Sequence, residues 1–248
     1  MAARDPSASF RVGCPGASHP IGEMPALRKP PPPARQDSKH PDRWILVIEG
    51  FAAAVTFRYH SAMTQHPERH YSLDEYFSIE EMSEVRHEYS GGEISALSGG
   101  SRNHNQIAQN LTRAFDSLRS KGCRSYLTDV RLKTPAGLYT YPDVMVIRGP
   151  AALTGDRLET VTNPVVLAEV LSASTRDYDC GQKFDLYRAI PTLRDCLLVD
   201  QHAVEIEHRW LDGAVWRSDR HTHPEDRVKL TGVPVTLVVE AMYELVER

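Results

Sequence analysis

Tyr141-Pro142-Asp143-Val144-Met145-Val146-Ile147 and Pro164-Val165-Val166-Leu167-Ala168-Glu169-Val170-Leu171-Ser172 are two short apolar runs, and each carries one acidic residue. Runs of Val, Ile and Leu bounded by Gly, Pro and Asn read as strands buried in a sheet. A carboxylate inside such a strand is costly unless it is paired or binds a metal. A helix is predicted next, over residues 177–190, and it carries Lys183 and Tyr187 one turn apart. Two acids on neighbouring strands with a lysine close behind point to a hydrolytic metal site.

Outward from this stretch, the composition is that of an ordinary globular chain. Of 248 residues, 41% are hydrophobic and 25% charged, which suits one domain of fair size or two small ones. The net charge of -4 excludes a global basic field for nucleic acid, so phosphate binding must rest on a local patch or on metal ions. Cys14, Cys123, Cys180 and Cys196 form no C-x-x-C pair, which argues against a zinc knuckle or a disulfide framework and for reduced thiols in a cytoplasmic protein. No run approaches the length of a membrane span.

Residues 1–62 differ from the rest. Nine of the 17 prolines fall among the first sixty residues, including Pro30-Pro31-Pro32-Pro33. Such a segment favours extended, solvated chain, and an unstructured extension is expected there. The opening residues do not read as a secretory signal, with no charged-then-apolar block before a cleavage site, and Met63 is a candidate for the true start. The folded domain is expected over residues 63–248.

Within it, Ser72-Leu73-Asp74-Glu75 is a capping box that opens a helix over about residues 73–81. Residues 86–89 and 93–97 flank Ser90-Gly91-Gly92, a hairpin signal. Residues 103–121 form the clearest helix, with Ile107, Leu111, Ala114, Phe115 and Leu118 on one face and Gly122 as its stop. Strands are predicted at 125–132, 139–147 and 165–171. After the helix of residues 177–190 come a strand at 197–200 and a hairpin at 203–210 and 214–216. One more strand at 235–239 and a helical turn at 242–246 close the chain. This order implies an α+β or mixed α/β sheet with helices packed on it.

Each candidate residue has a plainer reading. Proline in a sheet sits at an edge or a strand start, so Asp143 lies near the sheet's rim, where a turn-forming Asp is the ordinary alternative. Glu169 sits mid-strand, and as a structural residue it would need a salt bridge, for which Lys183 is the partner at hand. Lys183 flanks Phe184 on a helix that must pack on the Glu169 strand, although surface exposure is the default for a lysine. His104 opens the long helix, where it could contact a phosphate, cap the helix or face solvent. Arg124, Arg131 and Lys133 could make a basic patch near Asp143. Glu88, between His87 and Tyr89, means little alone.

Together these residues resemble the PD-(D/E)XK nuclease superfamily, the fold of many restriction endonucleases. More closely, residues 71–210 resemble the Uma-two family of restriction-endonuclease-like proteins. The resembling stretches are Arg86-His87-Glu88-Tyr89-Ser90-Gly91-Gly92-Glu93-Ile94, Asn103-His104-Asn105, Tyr141-Pro142-Asp143-Val144, Ala168-Glu169-Val170-Leu171-Ser172 and Lys183-Phe184-Asp185-Leu186-Tyr187. The resemblance implies a restriction-endonuclease-like central mixed β-sheet flanked by helices, with an added N-terminal helix and hairpin. It implies Asp143, Glu169 and Glu88 as ligands of Mg2+ (or Mn2+), with the Val170 carbonyl completing the shell. Lys183 would be the catalytic lysine, and His104, Tyr187, Arg131 and Lys133 would contact the substrate. One departure stands out: the superfamily lysine lies two residues after the Glu, where this chain has Leu171, and Lys183 on the next helix would take its place. Ala173 also stands where the family often has proline.

The implied activity is hydrolysis of DNA by a metal-dependent endonuclease, with a homodimer as the usual route to a double-strand cut. The rival is a nuclease-fold protein without turnover that binds nucleic acid or protein, which the net charge favours. A glycosidase-type acid pair is a third reading, and the lysine and the strand-start Pro-Asp argue against it.

Overall fold

The computed structural model describes residues 35–36, 44–45, 69–97, 99–156 and 158–247. The chain divides into two units, Met1–Ala62 and Met63–Arg248. In the first, β1 (Arg35–Gln36) pairs antiparallel with β2 (Trp44–Ile45). The extended segment expected over residues 1–62 otherwise lies outside the described residues.

The second unit is built on a six-stranded mixed sheet. Its strands are β5 (Cys123–Leu127), β8 (Val144–Arg148), β9 (Pro164–Leu171), β10 (Asp195–Asp200), β11 (Ile206–Asp212) and β12 (Val215–His221), in the order β12-β11-β10-β9-β8-β5. Only the central pair β9–β10 is parallel. A parallel pair needs a crossover connection, and the helical segment between them supplies it. Every residue of β9 is buried, because both faces of the sheet are covered. Alternation along the strands divides them between two cores. Val144, Val146, Val166, Ala168 and Val170 face α2 (Arg102–Phe115) and the C-terminal β13 (Arg227–Lys229), β14 (Thr236–Val238) and α5 (Val239–Met242). Met145, Ile147, Leu167 and Leu171 face Phe184, Tyr187 and Ile190 on the other side.

A second, four-stranded sheet runs β4-β3-β7-β6, from β3 (His87–Ser90), β4 (Glu93–Ala96), β6 (Leu132–Lys133) and β7 (Tyr139–Thr140). Helix α1 (Leu73–Met82) packs Tyr76 and Phe77 against Tyr139 of this sheet. Its capping box is complete: Ser72 Oγ accepts from the Glu75 N–H, and Glu75 accepts from the Ser72 N–H at 2.8 Å. Replacing Ser72 by alanine should cost about 1 kcal/mol, or roughly 2–4 °C in Tm by thermal denaturation.

Several elements differ from the sequence expectation. The strand expected at 139–147 is two strands in two sheets. Pro142 has no N–H to give a ladder, so β7 ends at Thr140, β8 begins at Val144, and Pro142-Asp143 becomes the joint between the sheets. The strand expected at 125–132 likewise ends at Leu127, where Thr128 takes a positive φ of 20° and Asp129 N–H turns back to the Leu127 carbonyl. The long helix narrows to a 3-10 turn at Asp116–Lys121 before Gly122, whose φ of 76° stops it. The helix after β9 is α3 (Arg176–Tyr178), a π turn (Asp179–Lys183) and α4 (Phe184–Tyr187). Near the C-terminus the helix is α5, which ends at Met242 where the expected turn over residues 242–246 begins. Among the described residues, no helix is long and apolar enough to cross a membrane.

Candidate active site

The joint at Pro142-Asp143 and the C-terminal half of β9 meet at one end of the six-stranded sheet. Val144 pairs with Ala168 in the antiparallel ladder, and the same register carries Asp143 opposite Glu169. Glu169 faces the α3–α4 segment through Tyr187 and Lys183, while Asp143, just outside β8, is met by His104 of α2. The Val170 N–H donates to Asp143 Oδ2 at 2.8 Å. His104, in the first turn of α2, brings Nε2 to 3.1 Å from the same oxygen. Its backbone N–H is held at 3.1 Å by the capping Ser101 hydroxyl, which in turn donates to Gln201 at 2.5 Å. His104 Nδ1 is buried with no hydrogen-bond partner among the described residues. Burial opposes charge on this imidazole, but the Asp143 hydrogen bond and the Asp143, Glu169 and Asp179 charges outweigh it and raise the pKa.

Across the sheet face, Asp179, Lys183 and Tyr187 repeat at four-residue spacing; Lys183 and Tyr187 reach Glu169, and Asp179 reaches Lys183. Lys183 is 5% exposed. Its ammonium lies 3.0 Å from Glu169 Oε1, 3.3 Å from Asp179 Oδ1 and 3.9 Å from Glu88 Oε2. The Tyr187 hydroxyl donates to Glu169 Oε1 at 2.6 Å. Burial and the Glu169 charge push the Tyr187 pKa well up, so the phenol stays a donor. Burial opposes charge on Lys183, but Glu169, Asp179 and Glu88 more than offset it and hold its pKa above the ordinary value. Lys183 is therefore a fixed cation, not a base, at neutral pH. Glu169 is shifted upward, because burial and the Asp143 and Asp179 charges together exceed what Lys183 returns.

Glu88 enters from β3. Thr140 donates to its Oε2 at 2.6 Å and Tyr178 to its Oε1. Each Glu88 oxygen thus accepts one hydrogen bond, and Oε2 also faces Lys183 Nζ at 3.9 Å. Among the described residues, no group of three or more His, Cys, Asp or Glu side chains is arranged to hold a metal ion. Asp143 and Glu169 alone still fit a hard dication. Their recorded contacts fall on one oxygen each, and Mg2+ keeps several waters and needs only one or two carboxylates.

Of the three residues expected in a basic patch, Arg124 is exposed and donates to the Gly149 carbonyl at 3.2 Å, while Arg131 and Lys133 are engaged within the protein. Arg131 is 3% exposed, its guanidinium packed over Phe77 and Tyr76 with Nε on Thr160. Lys133 pairs with Asp156 at 3.6 Å and lies over the Tyr139 ring. Asp179, Tyr178 and Thr140 belong to the cluster although the sequence did not single them out. The Asp179–Lys183 spacing was the one signal available for them.

Tyr187→Phe tests how tightly the cluster is held. It deletes one donor to a buried carboxylate and leaves the ring in place, so it should destabilise the protein by about 1.5–3 kcal/mol in urea unfolding. A loss below a few tenths of that would mean Glu169 is not held by this bond.

The family described as "Uma2: Putative restriction endonuclease" matches residues 73–241. Two proteins of Synechocystis sp. (strain ATCC 27184 / PCC 6803 / Kazusa) are similar. "Uncharacterized protein sll1609" is 39% identical over 136 residues, 54% of this chain and 77% of that one. "Uncharacterized protein slr1290" is 36% identical over 178 residues, 69% of this chain and 90% of that one. A solved structure, "a putative nuclease belonging to DUF820 from Anabaena variabilis ATCC 29413", shares the fold with a TM-score of 0.56 at 17% identity, covering 70% of this chain and 97% of that one. The chain belongs to the Uma2 family, the one described as "Putative restriction endonuclease".

Proposed function

We propose that the chain is an endonuclease that hydrolyses DNA phosphodiester bonds with Mg2+, Mn2+ being the alternative ion. The observation that supports this most is the charge balance of the cluster. Glu88, Asp143, Glu169 and Asp179 converge on one lysine and one imidazole. Burying that excess of negative charge is costly, and a hard dication at Asp143 and Glu169 would relieve it. When bound, such an ion supplies Lewis acidity to a phosphate oxygen and acidifies water.

The protein's own residues do the rest. Asp143 and Glu169 hold the ion, each fixed from behind: Asp143 by His104 and the Val170 N–H, Glu169 by Tyr187 and Lys183. The Lys183 ammonium places permanent positive charge beside the site, where negative charge grows on the phosphate in the transition state. Its attachment to α3–α4 instead of β9 changes the route by which it arrives but not this role. A symmetric pair of chains would supply the second site for a double-strand cut.

A nuclease fold without turnover, used for binding, is the second reading. The burial of Arg131 and the pairing of Lys133 favour it, since nonspecific DNA affinity rests on cations that reach phosphates. Incubation with linear, supercoiled and single-stranded DNA, with and without Mg2+, separates the two. Cleavage of any form that depends on the ion supports the first reading; DNA retention without cleavage supports the second.

A further inference from the structure

Many arginines of the described chain are paired with carboxylates, among them Arg86 with Asp129, Arg188 with Asp185 and Arg217 with Asp212. Arg148 and Arg194 have no such pair among the described residues, and both line one cavity of about 310 Å³. It lies at the far end of β8 and β9 from the acidic cluster. β8 runs from beside Asp143 to Arg148, and β9 runs back from Pro164 toward Glu169. Val165, in the cavity wall, stands four residues before Glu169, roughly 13 Å along a strand.

The polar groups of the wall are largely committed to the protein. The Thr192 hydroxyl donates to the Pro164 carbonyl at 2.7 Å. Asn163 donates to the Pro150 carbonyl at 3.0 Å and accepts from the Ala152 N–H at 2.8 Å. Behind the wall, the fully buried Asp195 carboxylate takes the Thr231 hydroxyl at 3.1 Å, the Gly232 N–H at 2.6 Å and His208 Nε2 at 2.9 Å. Both Asp195 oxygens are thus engaged by donors of the protein. Gly232 lets the wall close: a Cβ there would come within 2.7 Å of Arg194 Cβ and 2.8 Å of Val165 Cγ2.

Arg194 is anchored but not used up. Its Nη1 donates to the Pro191 and Leu193 carbonyls at 2.9 and 2.7 Å, which fixes the guanidinium and leaves Nη2 and Nε without a hydrogen-bond partner among the described residues. Arg148 is exposed and reaches the same space from β8. The capacity that remains is therefore almost all N–H donor, and it is positively charged. Such a cavity matches a ligand that only accepts hydrogen bonds and carries negative charge, and the planar guanidinium suits phosphate oxygens. Its volume sits at the small end of ligand sites, which limits the occupant to the size of a mononucleotide.

We propose that Arg148 and Arg194 form a binding site for a phosphate group, separate from the carboxylate cluster, filled either by free phosphate or by a phosphate monoester. Isothermal titration of the full chain with inorganic phosphate, and in a second arm with a nucleoside 5′-monophosphate, tests it. Saturable binding at about 1 mM or tighter is expected for at least one probe. Arg148→Gln should weaken it roughly tenfold or more, as expected for losing a charged hydrogen-bond donor, while Arg188→Gln should leave it unchanged. Tighter binding of the nucleotide assigns the monoester; equal binding assigns free phosphate. No saturation by either probe, or equal binding by Arg148→Gln, overturns the proposal. Circular dichroism of Arg148→Gln, whose side chain lies outside the core, confirms that a loss of binding is not a loss of fold. Asp143→Asn should bind phosphate like the wild type, so the outcome is independent of the nuclease reading.

Discussion

Lys183→Met should lower the stability of the folded chain by about 3–5 kcal/mol at pH 8, because removing one partner of a buried charge set leaves the others uncompensated. Methionine fills much the same volume, so the loss reads charge, not packing. Three carboxylates, on Glu169, Asp179 and Glu88, lose the ammonium that lies 3.0, 3.3 and 3.9 Å away. Glu169, whose pKa the lysine holds down, then binds a proton more readily, and this gives the effect a sign with pH. Glu169 is already shifted upward by burial with the lysine present. Without it, the Glu169 pKa rises further above its unfolded value, so the folded state holds more protons than the unfolded one. Stability must then fall as pH rises through that window and recover on acidification toward pH 5. Urea unfolding of wild type and variant at pH 5 and pH 8 measures it. A deficit of equal size at both values would mean that the loss came from packing and that Lys183 is not the counter-charge of the cluster.

How far such a cluster could be read from sequence differs residue by residue. Glu169 was legible because an acid inside Pro164–Leu171 contradicts its surroundings, and burial of the whole strand bears out that contradiction. Pro142 was legible as a strand boundary, but not as the joint between two sheets, since a missing N–H marks where a ladder stops and not where the chain goes next. Lys183 and Asp179 form an i,i+4 pair of the kind common on solvated helices. Phe184 beside Lys183, on a helix that must pack on the Glu169 strand, was the hint that this face turns inward, but nothing in residues 176–187 announces that the backbone widens there into a π turn, a feature that often accompanies functional positions. Arg131 failed in the opposite sense. A basic residue between short strands reads as surface, yet Tyr76 and Phe77 supply aromatic faces that cover its guanidinium, and those rings come from a helix more than fifty residues earlier. Strand β13 escaped notice because Arg227-Val228-Lys229 has a single apolar residue, and only its pairing with β14 defines it.

Asp143→Asn should cut ion-dependent DNA cleavage roughly a thousandfold, the scale of several kcal/mol that a bound dication contributes to a transition state. The substitution is chosen because it keeps the fold. An asparagine carbonyl can still accept the Val170 N–H that now reaches Asp143 Oδ2 at 2.8 Å, and the side chain is nearly the same size. What it removes is the charge that a hard cation requires. Unchanged urea unfolding with lost cleavage is therefore the expected pair of results. Mn2+ binding, followed by calorimetry in the absence of DNA, should weaken in parallel, and this readout does not depend on turnover. His104→Ala supplies the graded comparison. It removes the imidazole 3.1 Å from Asp143 Oδ2 but leaves the carboxylate in place, so a loss of about 10–100-fold is expected, typical of a group that orients a ligand. If Asp143→Asn cleaves as fast as wild type, the observed cleavage comes from another site or another protein. If it binds Mn2+ as tightly as wild type while losing cleavage, Asp143 does not hold the ion, and its carboxylate acts on the substrate directly.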